Sequence, residues 1–250
     1  MYILKQTYKK AKNILTRLID WFLLLPIRIY RIALHFAKGL QYFVPKENQK
    51  RSLFELKNIL QTFSFWNIDL FFYVIDLLGI GELYETFLDL VKFNSRPMTL
   101  EEIALAKTIF GDSIKYHRVL IDEYAFAGPK QKRFAYVSFY TINSWGKMWE
   151  AFLLHELTHV WQYQKIGAIY IPRALRAQTS QMGYNYGGVH ILRQAKENEA
   201  SIFAFNLEQQ GDIVADYYKL KNGYKTAWGD NDLAQIKEYE YFINQIRGNA

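Results

Sequence analysis

Residues 151–161 read Ala-Phe-Leu-Leu-His-Glu-Leu-Thr-His-Val-Trp, and this run decides both the fold class and the chemistry to be sought. It contains H-E-x-x-H inside a strongly helical window. Histidines four apart project from one helix face, so His155 and His159 can meet a single metal ion while Glu156 reaches the water bound to it. At about 100° per residue, the apolar stripe of Leu153, Leu154, Leu157, Val160 and Trp161 is centred nearly opposite the two histidines. The helix is therefore predicted to bury its stripe and turn the histidines toward a cleft. The chain has five histidines; His35, His117 and His190 lack a partner at this spacing and read as surface or core residues.

The sequence contains no cysteine, so any metal must be held by histidine, carboxylate or water. A hydrolytic site needs a third protein ligand and leaves the fourth position to water. The expected third ligand is Glu197, in the segment 194–204, Gln-Ala-Lys-Glu-Asn-Glu-Ala-Ser-Ile-Phe-Ala. On an unbroken helix its face also carries Ala200, Ser201 and Ala204, small enough for close packing against the histidine helix. Glu199 falls on the opposite side with Ala195, Ile202 and Phe203 and reads as a supporting carboxylate. His190, two turns before Glu197 on the same face, is a competitor. With such ligands a metal dication would acidify its bound water, and Glu156 would carry the proton to a leaving amine, which is peptide-bond hydrolysis. Tyr184 and Tyr186, in the loop 183–188, Gly-Tyr-Asn-Tyr-Gly-Gly, are candidate oxyanion donors. Most of the 19 tyrosines are expected to be packing residues.

Outward from this run, 250 residues of which 50% are apolar suffice for a sizeable core in one large or two modest domains. The net charge of +7 is concentrated at one end. Residues 1–51 hold 11 Lys and Arg against Asp20 and Glu47 alone, leaving the remainder slightly acidic. No nucleic-acid partner is expected, and an anionic partner would have to meet the N-terminal segment.

There Ile14, Leu15, Leu18, Phe22 and Leu25 share one helical side, while Lys9, Lys10, Lys12 and Arg17 lie mostly elsewhere. Pro26 should interrupt this helix, after which Arg28, Arg31, His35 and Lys38 form a second cationic stripe. Contact with an anionic membrane surface through residues 1–51 is one expectation, and an ordinary solvated helical face is the other. The uncharged core from Trp21 to Ile27 is too short for a signal peptide. Asp69, Asp76, Glu82, Glu85 and Asp89 interrupt the apolar stretch 63–93, so no transmembrane helix is expected. The chain should reside in the cytoplasm of its producer, or be delivered without a signal peptide, with peripheral membrane association at most.

Asn94-Ser-Arg-Pro97 marks a junction, followed by a capping box from Thr99 to Glu102. Residues 1–95 form a basic, amphipathic helical module and residues 96–250 the domain bearing the histidines. In the latter we expect a helix from Leu100 to Phe110 and strands at Tyr116–Asp122 and Phe134–Ile142, separated by Ala127-Gly128-Pro129. Helices follow from Trp149 onward. The predicted class is α+β, mainly α-helical, with a short hairpin or small sheet.

Four stretches together resemble a known family: 96–112 (Arg-Pro-Met-Thr-Leu-Glu-Glu-Ile-Ala-Leu-Ala-Lys-Thr-Ile-Phe-Gly-Asp), 118–122 (Arg-Val-Leu-Ile-Asp), 153–162 (Leu-Leu-His-Glu-Leu-Thr-His-Val-Trp-Gln) and 206–217 (Asn-Leu-Glu-Gln-Gln-Gly-Asp-Ile-Val-Ala-Asp-Tyr). They are similar to the Vgr-related, metallopeptidase-like core domain of bacterial contractile injection systems. The resemblance covers about residues 96–220. It implies a zincin-like fold, one Zn2+ per chain, zinc metalloendopeptidase activity on a protein or peptide, and a role as an effector or accessory protein among injection-system components. Glu197-x-Glu199-Ala200 is also similar to the third-ligand helix of glutamate zincins, in which an E-x-x-A pattern supplies the metal-binding glutamate. That similarity implies His155, Glu156, His159 and Glu197 as the site. The sequence departs from it at Ser201, where several such families have aspartate. Two other readings compete: a non-catalytic structural or delivery protein tied together by zinc, and a membrane-surface protein acting through its N-terminal helices.

Overall fold

The computed structural model describes residues 2–43, 53–92, 94–131 and 134–248. Met1 and residues 44–51 of the basic segment thus lie outside the described residues. The chain divides into two compact units, one comprising Met1–Val91 with Gly167–Pro172, the other Lys92–Ile166 with Arg173–Ala250.

The first unit contains α1 (Tyr2–Phe43), α2 (Leu53–Leu77) and α3 (Ile80–Val91). Pro26 does not break α1, which runs through it. Proline removes one amide donor from the helix, but α1 is held on both sides of it. Arg17 pairs with Glu85 at 3.3 Å and Asp89 at 2.7 Å before the proline, and Arg28 with Glu82 at 2.5 Å and Asp76 at 3.5 Å after it. Arg31 also reaches Asp76, at 3.4 Å. His35 stacks on Trp66 and contacts its backbone carbonyl at 3.1 Å. The expected cationic stripe is therefore corrected: Arg28, Arg31 and His35 face the other helices, and only Lys38 of the four is exposed. As partner numbers rise along α1 they fall along α3 and α2, so α1 runs antiparallel to them. Among the described residues no single helix is both long and apolar enough to cross a membrane.

The second unit is mainly helical α+β. Strands β1 (Ser95–Pro97), β2 (Leu120–Asp122), β3 (Ala135–Ser138) and β4 (Thr141–Ser144) form one mixed sheet in the order β1-β2-β4-β3. β1 and β3 pair antiparallel at the edges, and the central β2 and β4 run parallel. Pro97 thus sits on an edge strand, where its missing amide costs no central ladder bond. The capping box forms as expected: Glu102 N donates to Thr99 Oγ1 at 3.2 Å, and Thr99 N to Glu102 Oε2 at 2.8 Å. It starts α4 (Leu100–Phe110).

Two strand expectations change. Tyr116–Arg118 is a 3-10 turn that precedes the short β2. The run Phe134–Ile142 folds back on itself, because Phe139 adopts φ 60° and Ser138 pairs with Thr141. β4, buried along its length, leads to α5 (Glu150–Ile166). After α5 the chain forms α6 (Tyr170–Gln178), whose first residues belong to the first unit, then α7 (Gly188–Glu197), α8 (Leu207–Lys221) and α9 (Ile236–Arg247). α5 and α8 make the most extensive helix pair in this unit.

Candidate metal centre

The helix α5 buries Leu154, Leu157, Val160 and Trp161 on the side the apolar stripe dictates. The face bearing His155, Glu156 and His159 is also buried, because α8 packs over it. Close approach is possible because α8 presents Gly211 there. A Cβ at Gly211 would lie 2.6 Å from His155 Cε1 and 2.7 Å from Nδ1, well inside ordinary van der Waals contact.

One turn before that glycine, α8 contributes a fully buried carboxylate. Glu208 Oε2 lies 3.3 Å from His155 Nε2 and 3.5 Å from His159 Nε2. The donor atoms of His155, His159 and Glu208 all fall within 4.8 Å of one another, a group able to hold a metal ion. The other atoms of each group are also held. Asp212 Oδ1 takes His155 Nδ1 at 2.9 Å, and Gln162 Oε1 takes His159 Nδ1 at 2.7 Å. Gln178 donates to Glu208 Oε1 at 2.9 Å. Gln162 is itself fixed, donating to Leu207 O at 2.8 Å and Gln210 Oε1 at 3.0 Å. Each imidazole thus has its Nδ1 engaged and its Nε2 directed at the common centre, the arrangement that orients metal-binding histidines.

Electrostatics reflect buried ionisable groups crowded around one point. Burial alone would lower the His155 pKa, but hydrogen bonds to Asp212 and Glu208 raise it to about 10. Burial likewise opposes charge on His159, and Glu208 outweighs it to raise that pKa too. For Glu208 burial acts upward, yet the two histidines hold its carboxyl well below the usual range. Glu156 moves the other way: burial raises its pKa, the histidines oppose this, and Glu208 and Asp212 add to it. Among the described residues no hydrogen bond or ion pair engages the Glu156 carboxylate.

The structure therefore brings His155, Glu156 and His159 together but supplies Glu208, not Glu197, as the adjoining carboxylate. Glu197 is exposed at the last residue of α7, and His190 is exposed on the same helix. The helix expected through 194–204 ends because Glu199 takes φ 53° and its amide closes onto Lys196 O. Ser201 then caps a separate 3-10 turn, Ile202–Ala204. Glu199 is exposed as well.

Tyr184 and Tyr186 separate clearly. The Tyr184 ring lies 5.9 Å from that of His155 and is 38% exposed. Tyr186 is buried; its hydroxyl donates to Asp216 at 2.9 Å and adjoins Tyr239 Oη at 2.7 Å. It is committed to a network in which Asp216 also receives the amides of Ala227 and Trp228. Trp228 Nε1 in turn donates to Asp212 at 2.6 Å.

A signal for Glu208 was present in the sequence. Glu208-Gln-Gln-Gly211-Asp212 places a small residue three positions and an acid four positions after the glutamate. One helical turn brings both to the same face, where Gly211 admits the His155 ring and Asp212 binds it.

Comparison with known proteins gives one informative relative. Over 156 residues, 56% of this chain, the sequence is 28% identical to the type VI secretion system spike protein VgrG2b of Pseudomonas aeruginosa. The matched part is 14% of that relative's length. No family model and no solved structure matches.

Proposed function

We propose that the second unit is a single-zinc peptidase in which His155, His159 and Glu208 hold the metal and Glu156 is the general base. Two imidazoles and one carboxylate suit zinc, and three protein ligands leave a position for water or substrate. The observation that carries the catalytic reading is Glu156: a buried residue beside the ligands whose carboxylate feels their charges but has no hydrogen bond or ion pair among the described residues. A zinc site that only tied α5 to α8 would have no use for such a group.

When bound, zinc supplies acidification of its water and polarisation of the scissile carbonyl. The chain's own residues do the rest. Asp212 and Gln162 fix the imidazole orientations through Nδ1. Glu156 takes a proton from the attacking water as its oxygen bonds to the carbonyl carbon, then delivers that proton to the amide nitrogen as the C–N bond breaks. Tyr184, at the partly open edge, is the donor proposed for the developing oxyanion. Similarity to part of a secretion-system spike protein supports a role with injection-system components, as an effector or accessory protein.

The test is zinc content together with hydrolysis of dye-quenched casein by the wild type and Glu156→Gln. We expect equal zinc and a rate at least ~100-fold lower in the variant. Wild-type protein that takes up no zinc, or a variant that hydrolyses as fast as the wild type, would sink this assignment.

A further inference from the structure

The first unit has its polarity reversed. Among the described side chains of residues 12–91, those that are buried, glycines aside, are Arg17, Arg28, Asp69, Asp76, Glu82 and Glu85. The apolar core begins only at Met98. Meanwhile the large apolar side chains of α1–α3 point outward. On α1, Leu15, Leu18, Phe22, Leu23, Ile29 and Leu34 are exposed, Leu23 to 72%. At about 100° per residue they occupy an arc opposite Arg17, Arg28, Arg31 and His35. α3 repeats the division: Glu82, Glu85 and Asp89 share the face that meets the arginines, and Leu83, Phe87 and Leu90 lie on the other. On α2, Leu60, Phe63 and Phe71 are exposed while Asp69 and Asp76 are buried and partnered.

From this we infer that α1–α3 form a module that embeds in the hydrocarbon of a lipid bilayer, with its ion pairs turned inward. In hydrocarbon, ionisable groups must face the bundle interior and pair with one another, and the outward surface must be apolar. α1 from Leu15 to Phe36, α3, and α2 from Ile68 onward meet both conditions; earlier on α2, Gln61, Thr62, Ser64 and Asn67 are exposed, the last two bonded to carbonyls of their own helix. Water would reverse both. A protein partner would call for one apolar patch, whereas here the outward arcs of three helices are apolar.

Dimensions agree. The exposed apolar run of α1 from Leu15 to Phe36 spans about 32 Å at 1.5 Å per residue, against a hydrocarbon thickness of about 30 Å. Lys57–Leu77 and Ile80–Val91, bent by 62°, together have the length and composition of a broken span. Of the five acids that argue against a span in the sequence, Asp76, Glu82, Glu85 and Asp89 are paired with Arg17, Arg28 and Arg31, and Asp69 is buried. α1 antiparallel to the bent α2–α3 pair thus makes an inserted hairpin rather than two independent spans.

The experiment uses the full chain with zwitterionic phosphatidylcholine vesicles in molar salt, followed by an alkaline wash. We expect the protein to float with the vesicles and to survive the wash. Binding confined to anionic vesicles and released by salt would overturn insertion in favour of surface attraction. No vesicle binding, with concentration-dependent self-association in vesicle-free buffer, would overturn it in favour of a protein-covered surface. Leu23→Glu/Phe71→Glu should lower the retained fraction by at least about tenfold with helix content unchanged; equal retention overturns the inference. Because the chain has no cysteine, a polarity-sensitive dye on Leu23→Cys gives a second readout independent of that variant. Its emission should shift to the blue and be quenched by brominated acyl chains, and an unshifted, unquenched dye overturns insertion.

Discussion

Gly211→Ala places one methyl group against the ring that must orient the proposed metal. In an ordinary helix this change is favourable by about 1 kcal/mol, because alanine loses less backbone freedom. Here the new carbon would lie 2.6, 2.7 and 2.9 Å from His155 Cε1, Nδ1 and Nε2. To restore contact near 3.5 Å the imidazole must recede by roughly 0.9 Å, or α5 and α8 must part. Overpacking of this kind costs about 1–3 kcal/mol, so the metal-free protein should be destabilised by ~0–2 kcal/mol after the helical gain. The metal site suffers more, because displacing the ring loosens its 2.9 Å contact with Asp212 and its approach to Glu208. Loss of such outer support lowers metal affinity about 10- to 100-fold, or roughly 1.4–2.8 kcal/mol. Zinc titration against a chelator, with thermal melting of the metal-free protein alongside, separates the two effects. Wild-type zinc affinity in Gly211→Ala would show that α8 does not press on His155, and the reasoning would fail.

Glu208→Ala should abolish zinc uptake by elemental analysis, whereas Glu197→Ala should bind as the wild type does; the reverse result would restore Glu197 as the ligand. Asp212→Asn should weaken zinc binding about 10- to 100-fold and alter the visible spectrum of the cobalt-substituted protein, and an unchanged spectrum would show that Asp212 does not set the His155 geometry. The metal-free protein should also lose stability in alkali. His155 titrates near 6.5 when unfolded and at about 10 when folded, so its contribution is complete below pH ~6.5 and disappears as pH rises through about 10. Melting temperatures should fall across that window without zinc and change less with it; a flat metal-free profile would refute the His155–carboxylate pairing.

Although α8 covers the histidine side, where a cleft is expected, the histidine helix itself was legible because one local period fixes its facing: four-residue spacing puts both histidines on one side and the apolar stripe fills the other. The capping box at Thr99 and Glu102 was legible for the same reason. The adjoining carboxylate was less legible, because Glu197 and Glu208 both carry a small residue three positions on. Glu199 at positive φ ends the helix that the Glu197 reading required. The acid four positions on favours Glu208, since Asp212 can bind His155 and Ser201 lies in a separate turn. The hairpin at Phe139 was equally obscure, for an aromatic residue at positive φ carries none of the glycine or asparagine signal that marks such turns.

One expectation for the N-terminal unit, the cationic stripe, is overturned, and the physical reason also bears on the proposed insertion. Arginines at helical spacing read as a cationic surface, and acids recurring through an apolar stretch argue against a transmembrane helix; no single helix among the described residues has the length and composition of one. Each inference treats a charge as belonging to its own segment. In the structure Arg17 meets Glu85 and Asp89, and Arg28 meets Asp76 and Glu82, so the charges cancel between segments more than 45 residues apart. Once they cancel, what the unit presents outward is its leucines and phenylalanines. The two signs of charge that separately forbid burial in hydrocarbon together permit it. Neutralising one sign should therefore harm insertion more than removing a pair: Arg28→Met alone leaves Asp76 and Glu82 without that partner and should reduce retention in phosphatidylcholine vesicles, whereas Arg28→Met/Glu82→Gln should recover part of the loss. No recovery in the double variant would mean that the interior pairs do not act as a unit.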